Sequence, residues 1–322
     1  MRAAVVHTPG VAPAYADHPD PAPAPGQSTL MVSAAPVVPL DLLCASGTSY
    51  FGVPATPYVP GVQGVGIVEQ SETFAAGTRV WFSADAGMKP GDGSLGELCA
   101  VPDRDVVPIE TDLPDAAVAA IGLSGIAAWM ALTWRAALRE GERVLVLGGG
   151  GAVGQAGIGV ARSLGASRVV AVARSPQALA RAERAGADEV VEHVDDAVEL
   201  GARMSDAMGG PADVVLDPVF GTAATAAGRL LAEGGRLVNL GGASGDEARF
   251  SSAALRSKTA SVLGYTNNAI TADQRRDALV SVLRRAEAGQ VVVAHDTMTL
   301  SDVADAWARV LGGTAARAVL TP

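Results

Sequence analysis

The sequence predicts an α/β protein in which a doubly wound parallel sheet is joined to a second, mostly β domain. Three observations carry this. Short β-branched runs alternate with Ala-rich helical runs between Arg143 and Gly264, the first third is cut by turns into short strand-like pieces, and 322 residues suit two cores.

Met1 to Val6 reads as a first strand. Pro19, Pro21, Pro23 and Pro25 then break the chain, each withholding a donor from any sheet, and are read as a surface connection. Strand-like runs follow at 30–34, 64–69 and Arg79–Ser83, separated by Gly/Pro clusters. The texture changes near Leu123. The predicted strands are then Arg143–Leu147, Arg168–Ala173, 189–191, 213–216, 236–240 and Ser261–Gly264. The predicted helices between them are 152–164, 176–185, 198–208 and 223–231. Such alternation implies a parallel sheet covered on both faces. Beyond Asn267 the pattern gives a helix at 273–288, a strand at 291–294, a helix at 302–311 and a closing strand at 318–320. That tail is too short to fold alone, so residues 1–122 and 267–322 are read as one domain and 123–266 as the other. No internal repeat is visible.

Hydrophobic residues make up 49% of the chain and charged residues 18%, as in a globular protein, but aromatics only 4%, so the cores are predicted to be Ala, Val and Leu. A net charge of −10 repels nucleic acid and anionic membrane surfaces, and argues against both as partners. Cys44 and Cys99 cannot form a disulfide framework or a four-cysteine zinc site and are read as reduced, buried thiols. With no basic-plus-apolar leader and no run near about 18 uninterrupted apolar residues, a cytoplasmic protein without a membrane span is expected.

The strongest motif runs from Val144 to Gly154, where Gly149, Gly151 and Gly154 satisfy G-x-G-x-x-G between a strand and a helix. Glycines there permit a tight turn, close approach of a pyrophosphate and close helix–strand packing, while the helix N-terminus offers N–H groups to the anion. Gly149, Gly151, Ala152, Val153 and Gly154 are therefore candidate dinucleotide contacts. In NAD-specific folds an acidic residue ends the next strand and binds the ribose. Here that strand ends at Arg174-Ser175. A guanidinium pairs with a 2′-phosphate where a carboxylate would repel it, so NADPH is predicted over NADH, with Ser175 as a further donor. Arg181 is a possible second contact, although helical spacing puts it equally well in solvent. Leu240, Gly241 and Gly242 follow the fifth strand and are expected at the nicotinamide ribose.

Several ordered segments resemble the zinc-free medium-chain dehydrogenase/reductases, the quinone oxidoreductases and zeta-crystallin above all. Besides the glycine loop these are Pro60-Gly61-Val62-Gln63-Gly64-Val65-Gly66, Gly77-Thr78-Arg79-Val80-Trp81, Gly93-Ser94-Leu95-Gly96-Glu97, Leu216-Asp217-Pro218-Val219-Phe220-Gly221 and Gly234-Gly235-Arg236-Leu237-Val238. The resemblance implies a Rossmann domain and a GroES-like catalytic domain with the active site in the cleft between them. It also implies a homodimer built through the strand at Ser261–Gly264. Zinc-dependent relatives carry a Cys where Val38 stands and a His-Glu pair where Val62-Gln63 stands, so no metal is expected. The quinone-reductase pattern has Asn at Val38, Tyr at Leu43 and Thr at Ala127, so the polar groups for a substrate carbonyl are thinned out. By the same resemblance Asn267 and Asn268 fall near the cofactor amide, with a turn role as the alternative.

Hydride transfer asks the protein for positioning and for a donor to the oxygen that gains charge. Ser46-Gly47-Thr48-Ser49-Tyr50 resembles a segment of the family, which makes Tyr50 the candidate donor, with ordered water as the other donor and core packing as the alternative role for Tyr50, and Asp41 is a second catalytic candidate with turn capping as its alternative. His7, His18, His193 and His295 show no ligand spacing and are read as structural or surface residues. The first functional reading is an NADPH-dependent reductase of quinones or related enones, acting on a small molecule. The alternatives are an enoyl-thioester reductase of lipid or polyketide synthesis and a non-catalytic NADPH-binding, crystallin-like protein.

Overall fold

The computed structural model describes residues 1–313 and 316–322. The chain forms two compact units, Met1–Gly122 with Ala294–Pro322, and Leu123–Val293.

In the first unit β1 (Arg2–Val5) and β2 (Ala14–Asp17) form an antiparallel ribbon. After the proline-broken stretch comes the long β3 (Gln27–Pro36), then helix α1 (Pro39–Ser46), whose Pro39 occupies a first-turn position where a missing N–H costs nothing. Strands β4 (Gln63–Gln70), β5 (Arg79–Ser83), β6 (Leu98–Pro102) and β7 (Val106–Pro108) follow. β3 pairs antiparallel with both β4 and β6, and β5 lies between β4 and β7. Trp81 and Phe82 are fully buried on β5, and the core around Phe82 is otherwise mostly Val, Ala and Leu.

Helix α2 (Asp115–Met130) leads out of this unit, and a π-helical turn, Ala131–Arg135, extends it. Among the described residues the stretch Asp115–Arg135 is the one helix long and apolar enough to cross a membrane, but most of it is buried inside the protein. The sequence passed over it because Gly and Ser interrupt its apolar run. Gly122 breaks its helical geometry (φ 11°, ψ −120°), and its bare Cα sits against the Gln63 side chain and 2.7 Å, at the Cβ position, from Trp81 Nε1.

The second unit is the predicted parallel sheet. Its elements are β8 (Arg143–Leu147), α3 (Ala152–Ser163), β9 (Arg168–Ala173), α4 (Pro176–Arg184), β10 (Glu189–Glu192), α5 (Ala197–Met208), β11 (Ala212–Asp217), α6 (Gly221–Leu230), β12 (Leu231–Asn239), α7 (Ser252–Lys258) and β13 (Ser261–Gly264). The strand order is β10-β9-β8-β11-β12-β13, every pair parallel. The order therefore reverses between β8 and β11, and ligands bind at the carboxyl ends of strands at such a switch point. β8, β9 and β11 are almost wholly buried, and one core of this unit has only Val, Leu, Ala and Met as its buried members. Helix α7, missed in the sequence, has no buried residue and so no apolar stripe to read.

The return to the first unit comes at Ala294, not at residue 267. Helix α8 (Ala272–Glu287) stays with the second unit, its Arg285 donating to Ser163 on α3 at 2.9 Å and lying 4.3 Å over the Trp129 ring. The predicted strand at 291–294 is not one. Val291 and Val293 are buried, and the chain at Gln290 and Val291 presses so closely on Gly159 of α3 that a Cβ there would collide with backbone. Pairing starts only with β14 (His295–Thr299), followed by α9 (Val303–Leu311) and β15 (Arg317–Thr321), which joins the sheet antiparallel to β3.

A Cβ at residue 122 has no room between Gln63 and Trp81. Gly122→Ala is expected to lower the unfolding free energy by about 1–3 kcal/mol. Urea unfolding followed by Trp fluorescence checks this, and an unchanged midpoint would show that the contact yields without cost.

Candidate functional site

The turn from β8 to α3 is built by close packing. Gly148 has φ +65°, and a Cβ on it would sit 2.7 Å from Val219. Gly149 donates its N–H to Val172 at 2.8 Å and lies against Ala171 of β9, where a Cβ would be 2.6 Å from the alanine Cβ. Gly150 lies against Ala178 of α4, and Gly154 against the Gly148 carbonyl. These four glycines are required by the protein's own packing. Gly151 is different. It is exposed, has φ −79°, and a Cβ there would meet nothing closer than 3.4 Å. Internal packing does not demand glycine at 151, which leaves close approach of something outside the turn as the reason for it.

The Gly150 carbonyl is turned inward and held twice, by Gln155 Nε2 at 3.0 Å and Arg181 Nε at 2.9 Å. Arg181 is therefore buried rather than in solvent, with its guanidinium turned to the glycine turn. No side chain caps α3, whereas Ser175, Asp196 and Thr271 cap α4, α5 and α8. The N–H groups of Ala152, Val153 and Gly154 thus head the helix without intrahelical acceptors.

The carboxyl edge of the sheet adds polar groups. Arg174 is exposed one residue past β9 and donates to the Ser244 hydroxyl. Ser175 accepts from Ala178 N–H at 3.2 Å as the α4 cap. Leu240 N–H donates to Asp217 at 2.8 Å and Ser244 N–H to Val219 at 2.7 Å, so the stretch containing Gly241 and Gly242 folds over the end of β11. Asp217 is fully buried, and burial pushes its carboxyl up despite N–H donors from Phe220 and Val219. Those donors hold Phe220 at φ +59°, ψ −150°, a region open mainly to glycine. His193 follows β10, and its N–H donates to Ala173 at 2.9 Å, which seats it beside Arg174. A cavity of about 580 Å³ lies farther out, between the starts of α5 and α6. Its charged lining is three carboxylates, Asp195, Asp246 and Glu247, against one cation, Arg249, and the glycine turn does not line it.

Asn267 has both ends of its amide engaged. Its Nδ2 donates to the Leu123 carbonyl at 3.2 Å, and its oxygen accepts from Tyr265 at 2.7 Å.

In the first unit, Asp41 is 1% exposed. Its carboxylate accepts from Val38 N–H at 2.7 Å and Val62 N–H at 3.0 Å, tying the start of α1 to the entry of β4. Burial pushes its carboxyl up to about 7, against the lowering pull of these donors and of the Arg317 charge. That is the capping geometry. Val38 and Val62 thus lie on either side of one carboxylate, apolar and buried. Burial also raises the thiols of Cys44 to about 11 and Cys99 to about 12. Among the described residues no three His, Cys, Asp or Glu side chains converge as a metal-ligand set. Tyr50 lies on the turn after α1, 80% exposed, with its ring 4.2 Å from that of Phe51.

The structure therefore gathers Gly149, Gly151, Ala152, Val153, Gly154, Arg174, Ser175, Leu240, Gly241 and Gly242 along one edge of a single sheet, and leaves Tyr50 and Asp41 in the other unit. The sequence reading missed His193, the Arg174–Ser244 contact and the inward role of Arg181. No signal in the sequence marked His193, which is placed by the strand register, with Glu192 opposite Ala173.

Residues 24–111 match the alcohol dehydrogenase GroES-like domain family, and residues 152–285 the family described as zinc-binding dehydrogenase. The chain is 33% identical over 226 residues, 68% of its length, to the phthioceranic/hydroxyphthioceranic acid synthase of Mycobacterium tuberculosis, of which the match covers 10%. It is 30% identical over 229 residues, 69% of its length, to the quinone oxidoreductase of Mus musculus, of which it covers 66%. Its fold superposes over the whole of both chains, with a TM-score of 0.88 and 23% identity, on a mycobacterial structure described as complexed with NADPH.

Proposed function

The chain belongs to the medium-chain dehydrogenase/reductase family, and from that premise we propose that it is an NADPH-dependent reductase of quinones or other α,β-unsaturated carbonyl compounds that works without zinc. The observation that carries the reading is the pairing of an uncapped helix start behind Gly151 with a guanidinium, Arg174, at the tip of the next strand. In a chain of net charge −10 this edge is a local exception that a phosphorylated dinucleotide fits.

The N–H groups of Ala152, Val153 and Gly154 would hold the diphosphate, with Gly149 and Gly151 leaving room for it. Arg174 and Ser175 would hold the 2′-phosphate, and Leu240, Gly241 and Gly242 the ribose next to the nicotinamide. Asn267, with both amide ends engaged, would steady the backbone there. Bound NADPH would supply a hydride. Tyr50 would donate a proton to the oxygen that gains charge, and Asp41, locked on backbone N–H groups, would position α1 and the turn that carries Tyr50. Work without zinc is supported by the buried valines at 38 and 62. The free thiols of Cys44 and Cys99 fit a reducing compartment such as the cytoplasm.

A second reading, reduction of enoyl-thioesters, is favoured by the 33% identity to a mycobacterial acid synthase. NADPH oxidation measured against a panel of quinones, enones and enoyl-thioesters separates the two. Turnover of quinones or enones is expected, and on the best acceptor Tyr50→Phe should lower kcat about 10²-fold. Turnover of thioesters alone favours the second reading, and tight NADPH binding without turnover of any acceptor leaves a binding protein.

Arg174→Ala should weaken NADPH about 10- to 100-fold and NADH hardly at all, the range for a lost hydrogen bond to a charged group. Equal losses in fluorescence titrations with the two cofactors would remove the phosphate role.

A homodimer through β13 is part of the same proposal, since that edge strand exposes Val262 (38%), and Trp134, also exposed (45%), meets Tyr265 just past the strand edge-on. Light scattering on the purified chain should give twice the mass of one chain. A monomer at micromolar concentration would remove it.

A further inference from the structure

His193 is not used by the cofactor contacts assigned above. Its side chain is 9% exposed and its Nε2 is buried, with no hydrogen-bond partner among the described residues. An imidazole nitrogen buried without a partner costs about 1–3 kcal/mol, so one that persists at a ligand-binding edge needs a reason. Its place is fixed by the sheet. Glu192 pairs with Ala173, and His193 N–H donates to the Ala173 carbonyl, so His193 and Arg174 leave neighbouring strands side by side at the carboxyl edge.

The ring's two nitrogens are in different positions. Nδ1 faces its own turn, 3.9 Å from the Asp195 carboxylate, whose negative charge favours the neutral tautomer with its proton on Nδ1. In the neutral ring this tautomer leaves Nε2 as a bare acceptor, which repels a phosphate oxygen. Only the imidazolium presents an N–H at Nε2. Two charged groups act on the ring, Arg174 from the end of β9 and Asp195 from its own turn, and Asp195 is fully in solvent. In the free protein burial, and then the Arg174 charge, hold the histidine below its usual range. A dianion seated against Arg174 reverses that balance and favours the imidazolium.

We propose that His193 is a third member of the 2′-phosphate site, donating from Nε2 as an imidazolium, so that NADPH binds with uptake of a proton and NADH does not. The proposal rests on the NADPH reading above. The sign follows from linkage. A histidine whose pKa is raised on binding strengthens NADPH fully below its free-state pKa, and that gain is lost as pH rises through the pKa of the complex. Each unit by which binding raises the pKa is worth about tenfold in affinity.

Isothermal titration of the full chain with NADPH and with NADH, near pH 7 in two buffers of different ionisation enthalpy, counts the protons directly. The 2′-phosphate itself titrates near pH 6 and releases rather than takes up a proton on binding as a dianion, so His193→Gln is the reference that carries its contribution alone. Net uptake with NADPH, none with NADH, and its loss in His193→Gln are expected. The ratio of wild-type to variant NADPH affinity should fall about tenfold between pH 6 and pH 8.5. NADPH binding with the same proton count in wild type and variant overturns the histidine's role and leaves the cofactor reading standing. If neither nucleotide binds at millimolar concentration, the cofactor reading fails and this proposal with it.

Discussion

The inward pull on the Gly150 carbonyl is the constraint on which the candidate site depends. A turn of four consecutive glycines has no side chains to fix it, and glycine loses more conformational freedom on folding than any other residue. Two donors from different helices, Gln155 on α3 and Arg181 on α4, hold that one oxygen, while Ala171 and Ala178 close the space around the turn. With the carbonyl committed to the interior, the face of the turn at Gly151 stays open and the first N–H groups of α3 are left to an anion.

The polar groups of the carboxyl edge form two sets with different physics. Asp217 with its buried carboxylate, and Phe220 in its glycine-like conformation, lock the end of β11 from within and take no part in the surface. Arg174 is exposed, Ser175 and Ser244 are half-buried and the His193 ring is buried beside them, with its Nε2 unpartnered among the described residues. An acidic chain can bind an anion when a few such groups are concentrated within about one Debye length, roughly 8–10 Å, while the distant carboxylates are screened.

Most of the sheet was legible because its signals are local. β8, β9 and β13 begin and end where the hydrophobic runs do, and the Gly149, Gly151, Gly154 spacing announces its turn. What escaped depended on contacts between segments distant in sequence. Nothing near Arg181 indicates that it turns inward to Gly150, and nothing near Val291 shows that Gly159 lets it lie flat on α3 and so delays the return strand to residue 295. His193 was set aside because it lacks ligand spacing, a test suited to metals. Its significance comes from strand register, which a single sequence does not print. Asp41 shows the converse, a carboxylate in a suggestive place whose bonds to Val38 and Val62 give it a structural task.

That task bears on the chemistry. Two buried valines, 38 and 62, have their backbones tied to one carboxylate, and the proposed reading takes these positions to carry no metal ligand. Charge developing on a substrate oxygen then has to be met by hydrogen-bond donors, and one donor spared by burial is weaker than a metal by several kcal/mol. A reaction whose charge is already delocalised, as over a quinone or an extended enone, asks least of such a site. A simple ketone concentrates the charge on one oxygen and asks most. Under the proposed zinc-free reading, apolar side chains at 38 and 62 would favour acceptors of low electronic demand.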